Sequence, residues 1–162
     1  MNSGGEAGMK KPVPFVPTPL PVVYRMLDLA GVEEGETVVD LGCGDGRILF
    51  TAAERYGARA VGYEIRPGLI EYIRRSAKVK RLDDLVKVVN ADLRNASLDN
   101  ADVITLYLTS DLLSQIRPRL EKALQHGTRI VSHGFKIPGL IPSEAEKRNG
   151  KIIYLYRRLE KI

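Results

Sequence analysis

The stretch Val38-Val39-Asp40-Leu41-Gly42-Cys43-Gly44-Asp45-Gly46-Arg47 decides the reading of this chain. A β-forming run reaches an acid, three alternating glycines follow, and a helical pattern begins directly after them. That is the join between a first strand and a first helix, the place where open α/β sheets bind ligands. Glycine joins that hold dinucleotides read G-x-G-x-x-G and seat a pyrophosphate on the helix N-terminus. Here the spacing is G-x-G-x-G, and Arg47 stands where the third glycine belongs. Asp40 and Asp45 bring negative charge to a place where a phosphate would be repelled.

Outward from that join, residues 37–41, 59–64, 85–89, 102–108 and 128–135 read as strands, alternating with helical patterns. Residues 1–11 are polar and glycine-rich and are expected to be a disordered tail. Prolines between Pro12 and Pro21 predict an extended strap. Thr18 can cap the helix that follows, with Pro19 at its first position and Leu20, Val23, Met26, Leu27 and Ala30 facing inward. The helix over 47–56 is expected to bury Ile48, Leu49, Ala52, Ala53 and Tyr56, and the one opened by Pro67 to bury Leu69, Ile70, Ile73 and Ala77. Pro118 is expected to split the next helix into two short pieces. Asn149-Gly150 joins 142–147 to 151–157 as a hairpin. This order predicts one α/β domain over residues 12–162, doubly wound, with a mostly parallel sheet and a C-terminal antiparallel hairpin.

Composition sets the outer limits. The chain has 162 residues, 44% hydrophobic and 28% charged, which suits one domain with a sizeable core. No apolar run approaches the roughly 20 residues needed to span a bilayer, and no signal peptide is visible. The single cysteine, Cys43, reads as a small packing residue, and a reducing cytoplasm is the expected home. The net charge of +5 leaves acidic partners open. Lysine and arginine are spread along the chain, however, which favours solvated helix faces over a nucleic-acid patch. A monomer is favoured, and neither membrane nor metal is expected.

A ligand with positive charge and no phosphate resolves the conflict at the glycine join. S-adenosylmethionine has an ammonium group and a sulfonium centre. Glu64, at the end of the second strand and twenty residues after Gly44, can accept from both ribose hydroxyls. Asp92, ending the third, can receive the adenine amino group, with Leu93 beside it, or can cap the next turn. Asp45 can cap the helix and still face the ligand, and Gly46 completes the turn. Thr18 and its neighbours can fold over the cofactor as a lid or simply pack.

These features resemble the class I S-adenosylmethionine-dependent methyltransferases. The strap Val16-Pro17-Thr18-Pro19 and helix Val22 to Leu27, together with Val61-Gly62-Tyr63-Glu64, Tyr107-Leu108-Thr109 and Gly127-Thr128-Arg129-Ile130-Val131-Ser132-His133, narrow the resemblance. They look like a small lysine methyltransferase family. It includes broad-specificity archaeal enzymes and the mitochondrial ones acting on the ADP/ATP translocase and on the membrane-ring c protein of ATP synthase. The resemblance implies a Rossmann-like seven-stranded sheet. It also implies cofactor contacts at Asp40, Gly42, Gly44, Glu64 and Asp92, and transfer to lysines of protein substrates, basic chromatin-type proteins among them. The product is S-adenosylhomocysteine. After Phe135 the chain is short, with Gly134 and Leu140 where the family often carries larger or charged residues.

Methyl transfer from sulfonium is an in-line displacement helped by alignment. A lysine acceptor must first lose its proton, which at pH 7 costs about 4 to 5 kcal/mol from a pKa near 10.4. Tyr107 and Thr109, at the end of the fourth strand, are placed to accept amine hydrogens; Tyr107 alternatively packs under the strap. His133 invites a general-base role or a structural bond at the rim, and His126 reads as a helix end. Two rival functions remain. An RNA or other nucleic-acid methyltransferase is disfavoured by the absence of an Asn/Asp-Pro-Pro-aromatic sequence after strand four. A non-catalytic binder of S-adenosylmethionine is the other.

Overall fold

The computed structural model describes residues 15–158, so the expected tail lies outside the described residues. Helix α1 (Leu20–Ala30) precedes β1 (Thr37–Leu41), α2 (Arg47–Tyr56), β2 (Arg59–Glu64), α3 (Pro67–Val79) and β3 (Val86–Asn90). A short 3-10 turn (Leu93–Asn95) leads to β4 (Val103–Leu106), α4 (Ser110–Gln125) and β5 (Arg129–His133). The hairpin of β6 (Glu144–Arg148) and β7 (Lys151–Tyr156) ends the fold. The seven strands lie in the order β3-β2-β1-β4-β5-β7-β6. β1 to β5 are parallel, and β7 runs antiparallel to both β5 and β6. This is the expected Rossmann-like sheet.

Alternation along the strands builds a core on each face. Val38 and Val103 pack with Leu27, Leu49 and Ile73, placing α1, α2 and α3 on one side. Val39 and Ile104 pack with Leu113, Ile116 and Leu120, placing α4 on the other. The parallel strands therefore direct their C-terminal ends, and the loops that follow, to one rim of the sheet. Glu64, Tyr107 and His133 all lie at or just beyond those ends.

Four local expectations are corrected. Helix α4 is continuous through Pro118. The proline is exposed, so the carbonyl it leaves without a helical donor, that of exposed Ser114, meets water, while Leu113, Ile116, Leu120 and Ala123 hold both halves against the sheet. Thr18 does not cap α1; the N-cap is Pro19, with no side-chain bond, because the Thr18 hydroxyl turns to His133. Leu20 is exposed and Val22 takes the inward position. Tyr56 is half-buried, its hydroxyl bonded to Asp28 and to the Tyr24 carbonyl. Gly31 ends α1 as expected, in the left-handed conformation.

Candidate active site

Asp40 lies at the C-terminal end of β1, where parallel pairing with β4 sets it opposite Thr105. The Thr105 hydroxyl donates to Oδ1 of Asp40 at 2.8 Å. Burial pushes the Asp40 pKa up to about 7; the Thr105 bond opposes that rise, and Glu64 and Asp45 add to it. An acid held this way is receptive to a cation, whose approach favours the ionised form.

The glycine turn follows at once. The Gly44 N–H donates to Oε1 of Glu64 at 2.9 Å, so the ends of β1 and β2 are tied through the carboxylate itself. The other oxygen, Oε2, accepts from the N–H groups of Ile65 and Arg66 and from the Arg66 guanidinium. Glu64 is thereby fixed at its strand end despite being almost fully buried. Gly44, at φ 57°, lies against the ring of Phe15: a Cβ there would stand 2.2 Å from Phe15 Cε1. Gly46, at φ 82°, passes Ile73 so closely that a Cβ would meet its Cγ1 at 2.9 Å. Side chains larger than hydrogen are therefore excluded where the loop turns.

Asp45 accepts from the Arg47 N–H at 3.1 Å and forms a two-oxygen ion pair with the Arg47 guanidinium. Burial alone would raise its pKa, but Arg47 holds it below the usual value. Arg47 also donates to the Thr18 carbonyl at 3.1 Å, fastening the strap to the loop. Leu93 and Leu108 form apolar walls, each with a methyl within 4 Å of where a Gly42 Cβ would be. Asp92 caps the 3-10 turn through the Arg94 N–H and pairs with the Arg94 guanidinium, so its carboxylate has the capping role and its pKa is lowered.

At the ends of β4 and β5 the Tyr107 ring stacks on His133, centroids 4.1 Å apart and 37° from parallel. His133 is buried, and its Nδ1 shares a 3.3 Å hydrogen bond with the Thr18 hydroxyl. Burial, then the charge of Lys151, lowers its pKa to about 4, so the ring is neutral at pH 7. Thr109 is exposed, and its hydroxyl caps α4 by accepting from the Leu112 N–H at 3.4 Å. Cys43 is packed beneath the loop against Gly62, and burial raises its thiol pKa. His126 closes α4, Nδ1 against the Lys122 carbonyl.

The donor set fits the expected cofactor: carboxylates at Asp40 and Glu64, tight glycine backbone and apolar walls, with the cations at the turn, Arg47 and Arg66, each paired to a carboxylate. The structure brings Thr18, the glycine turn, Glu64 and Leu93 to one end of the sheet, and places Tyr107 at that same end beside His133. Sequence patterns did not mark Phe15 or Thr105, and gave Leu108 a place in a motif but no role; Phe15 adjoins the strap motif, and Thr105 lies two residues before Tyr107.

Comparison with known proteins agrees. Residues 40–144 match the family model of the ANTKMT methyltransferase domain, and the chain belongs to that family. It is 39% identical over 149 residues to a protein-lysine N-methyltransferase of Saccharolobus islandicus, covering 89% of this chain and 92% of the relative. It is 34% identical over 127 residues, 78% of this chain, to the adenine nucleotide translocase lysine N-methyltransferase of Mus musculus, of whose length it spans only 55%. A crystal structure described as an RNA methyltransferase from Salinibacter ruber, in complex with S-adenosyl-L-homocysteine, superposes with a TM-score of 0.85. The two share 43% identity across 91% of this chain and 96% of the other. The protein is an S-adenosylmethionine-dependent methyltransferase. No helix among the described residues is long and apolar enough to cross a membrane.

Proposed function

We propose that this protein transfers methyl groups to lysine side chains of protein substrates. The identity to the Saccharolobus protein-lysine N-methyltransferase, over nearly the whole of both chains, carries the reading. When bound, S-adenosylmethionine supplies an electrophilic methyl group on a cationic sulfur. Asp40 and Glu64 would hold the ammonium and ribose ends of that molecule, the Gly42–Gly46 turn would give it bare backbone to lie against, and Leu93 and Leu108 would exclude water beside it. Asp45 acts through Arg47, which keeps the strap and Thr18 on the loop. Asp92 would stand at the adenine end, its cap fixing the turn that carries Leu93.

Tyr107 is the acceptor-side residue, its oxygen a hydrogen-bond acceptor for the incoming amine. Thr109 fixes the start of α4 next to it. His133 is a positioning residue, because an imidazole with a pKa near 4 is a poor base for a lysine ammonium. The proton therefore leaves to water as desolvation and the neighbouring positive charge lower the pKa of the lysine. The charged edge strand β6, with Glu144, Glu146, Lys147 and Arg148, discourages sheet-to-sheet pairing and supports a monomer. The one buried cysteine supports a reducing, cytoplasmic setting.

A second reading, methylation of RNA, is favoured by the similarity to the Salinibacter structure, described as an RNA methyltransferase. The sequence after β4, Tyr107-Leu108-Thr109-Ser110, has none of the prolines of the sequence that serves exocyclic base amines. Incubating the protein with methyl-labelled cofactor, a mixed protein fraction and RNA separates the readings. Label recovered as Nε-methyllysine supports the proposal, and label in RNA alone replaces it with the second reading. Cofactor binding without any transferred label would leave a non-catalytic binder.

A further inference from the structure

We infer that Phe15 is a plug in the cofactor site: its ring covers the glycine turn at Gly44, and S-adenosylmethionine must lift it off to bind. This rests on the reading of the Gly42–Gly46 turn and Glu64 as cofactor contacts, and it holds whichever acceptor receives the methyl group. A Cβ built on Gly44 would stand within 3.1 Å of Cε1, Cδ1 and Cζ of Phe15. One edge of the ring therefore lies directly on the bare backbone, and Gly44 is buried. The Gly44 N–H donates to Oε1 of Glu64 at 2.9 Å, so the covered spot adjoins the carboxylate assigned to the ribose. Asp40 and Glu64 are themselves only 4% and 3% exposed. At Gly44 the chain itself closes the turn. A bare glycine face takes one occupant at van der Waals distance, so the ring and a nucleoside cannot both lie on it.

The contact is built to part. Phe15, Val16 and Pro17 are all exposed, the Phe15 side chain to 38%, and no hydrogen bond among the described residues involves them. Thr18 is the opposite case. It is buried, its carbonyl accepts from Arg47, and its hydroxyl shares a hydrogen bond with Nδ1 of His133. The strap thus has a fixed point at Thr18 and a loosely held end at Phe15. Pro17 and Pro19 restrict the backbone on either side of Thr18 and bias the residue before each toward extended chain, so the segment moves as one piece. Three extended residues span about 10 Å, which carries the ring off the turn while both Thr18 bonds persist.

Apolar contact alone holds the ring, on a surface that Leu93 and Leu108 continue beside Gly42. A cationic nucleoside offers the same turn its own apolar surface, together with charge for Asp40 and hydroxyls for Glu64. That difference in contacts is what shifts the strap from covering the turn to leaving it. The hold of the ring is subtracted from the apparent affinity for the cofactor.

The test uses the full chain, which contains no tryptophan. Calorimetric titration of Phe15→Ala, which removes the plug, should show S-adenosylhomocysteine binding about threefold or more tighter than to the unaltered protein. Phe15→Trp sets a single reporter on the turn, and its emission should move to the red as S-adenosylhomocysteine drives the indole into water. Unchanged or weaker binding by Phe15→Ala, or a blue shift of the indole, overturns the inference, because the ring then packs beside or over the cofactor and not in its place. Glu64→Ala, titrated alongside, should weaken binding about tenfold or more. If it does so while Phe15→Ala binds no tighter, the plug fails and the cofactor reading stands. If neither variant changes the affinity, both fail.

Discussion

Buried, bonded to Thr105 and facing Glu64 and Asp45, Asp40 keeps its proton up to about pH 7, whereas an unfolded chain releases it near pH 4. The native state therefore binds the extra proton between those values, and the Asp40 contribution to stability falls as pH rises through that window. His133 works with the opposite sign. Its folded pKa of about 4 lies below the ordinary histidine value, so its contribution rises with pH between about 4 and 6.5. Relative to the unaltered protein, Asp40→Asn should gain stability between about pH 4.5 and 7.5 in urea unfolding; a constant difference would contradict the buried-acid description. Asp40, the three glycines and Glu64 were legible in the sequence, because an acid-ended strand running into a glycine turn is a local pattern. Thr105 was not, because its role comes from parallel register with a strand 65 residues away. Nor was the Thr18–His133 bond, whose partners are 115 residues apart.

Elements show local preference and packing in competition. Pro118 removes a helical N–H, a strong local signal for a break, yet four inward side chains spaced along α4 outweigh it. Replacing Pro118 with Ala should stabilise the protein by about 1 to 2 kcal/mol, since the restored hydrogen bond outweighs the added freedom of the unfolded chain. A shift of the urea midpoint to lower concentration would show instead that α4 needs the proline. The strap was legible as extended chain from its prolines, but its path was not. Arg47, Gly44 and His133 each hold one point of it, and they come from separate parts of the sequence. The hairpin turn at Asn149-Gly150 was readable because both residues adopt positive φ, which asparagine and glycine tolerate.

Across the whole molecule the two ends of the sheet divide the work. At the end away from the glycine turn, Arg129 donates to the carbonyls of Ala30 and Gly31 and to both oxygens of Glu36, joining α1, the approach to β1 and β5. Arg129→Ala should destabilise the fold by about 1 to 3 kcal/mol through these lost bonds. It should leave kcat little changed below the melting transition, read by urea unfolding and initial rates. At the other end lie the carboxylates and the turn, whose function depends on their suiting a cationic nucleoside without phosphate. Calorimetric titration of the full chain with S-adenosylhomocysteine and with NAD tests this directly. One-site binding of S-adenosylhomocysteine is expected, about tenfold tighter at pH 8 than at pH 6 as Asp40 ionises, with no uptake of NAD. Tight NAD binding with no affinity for S-adenosylhomocysteine would contradict it.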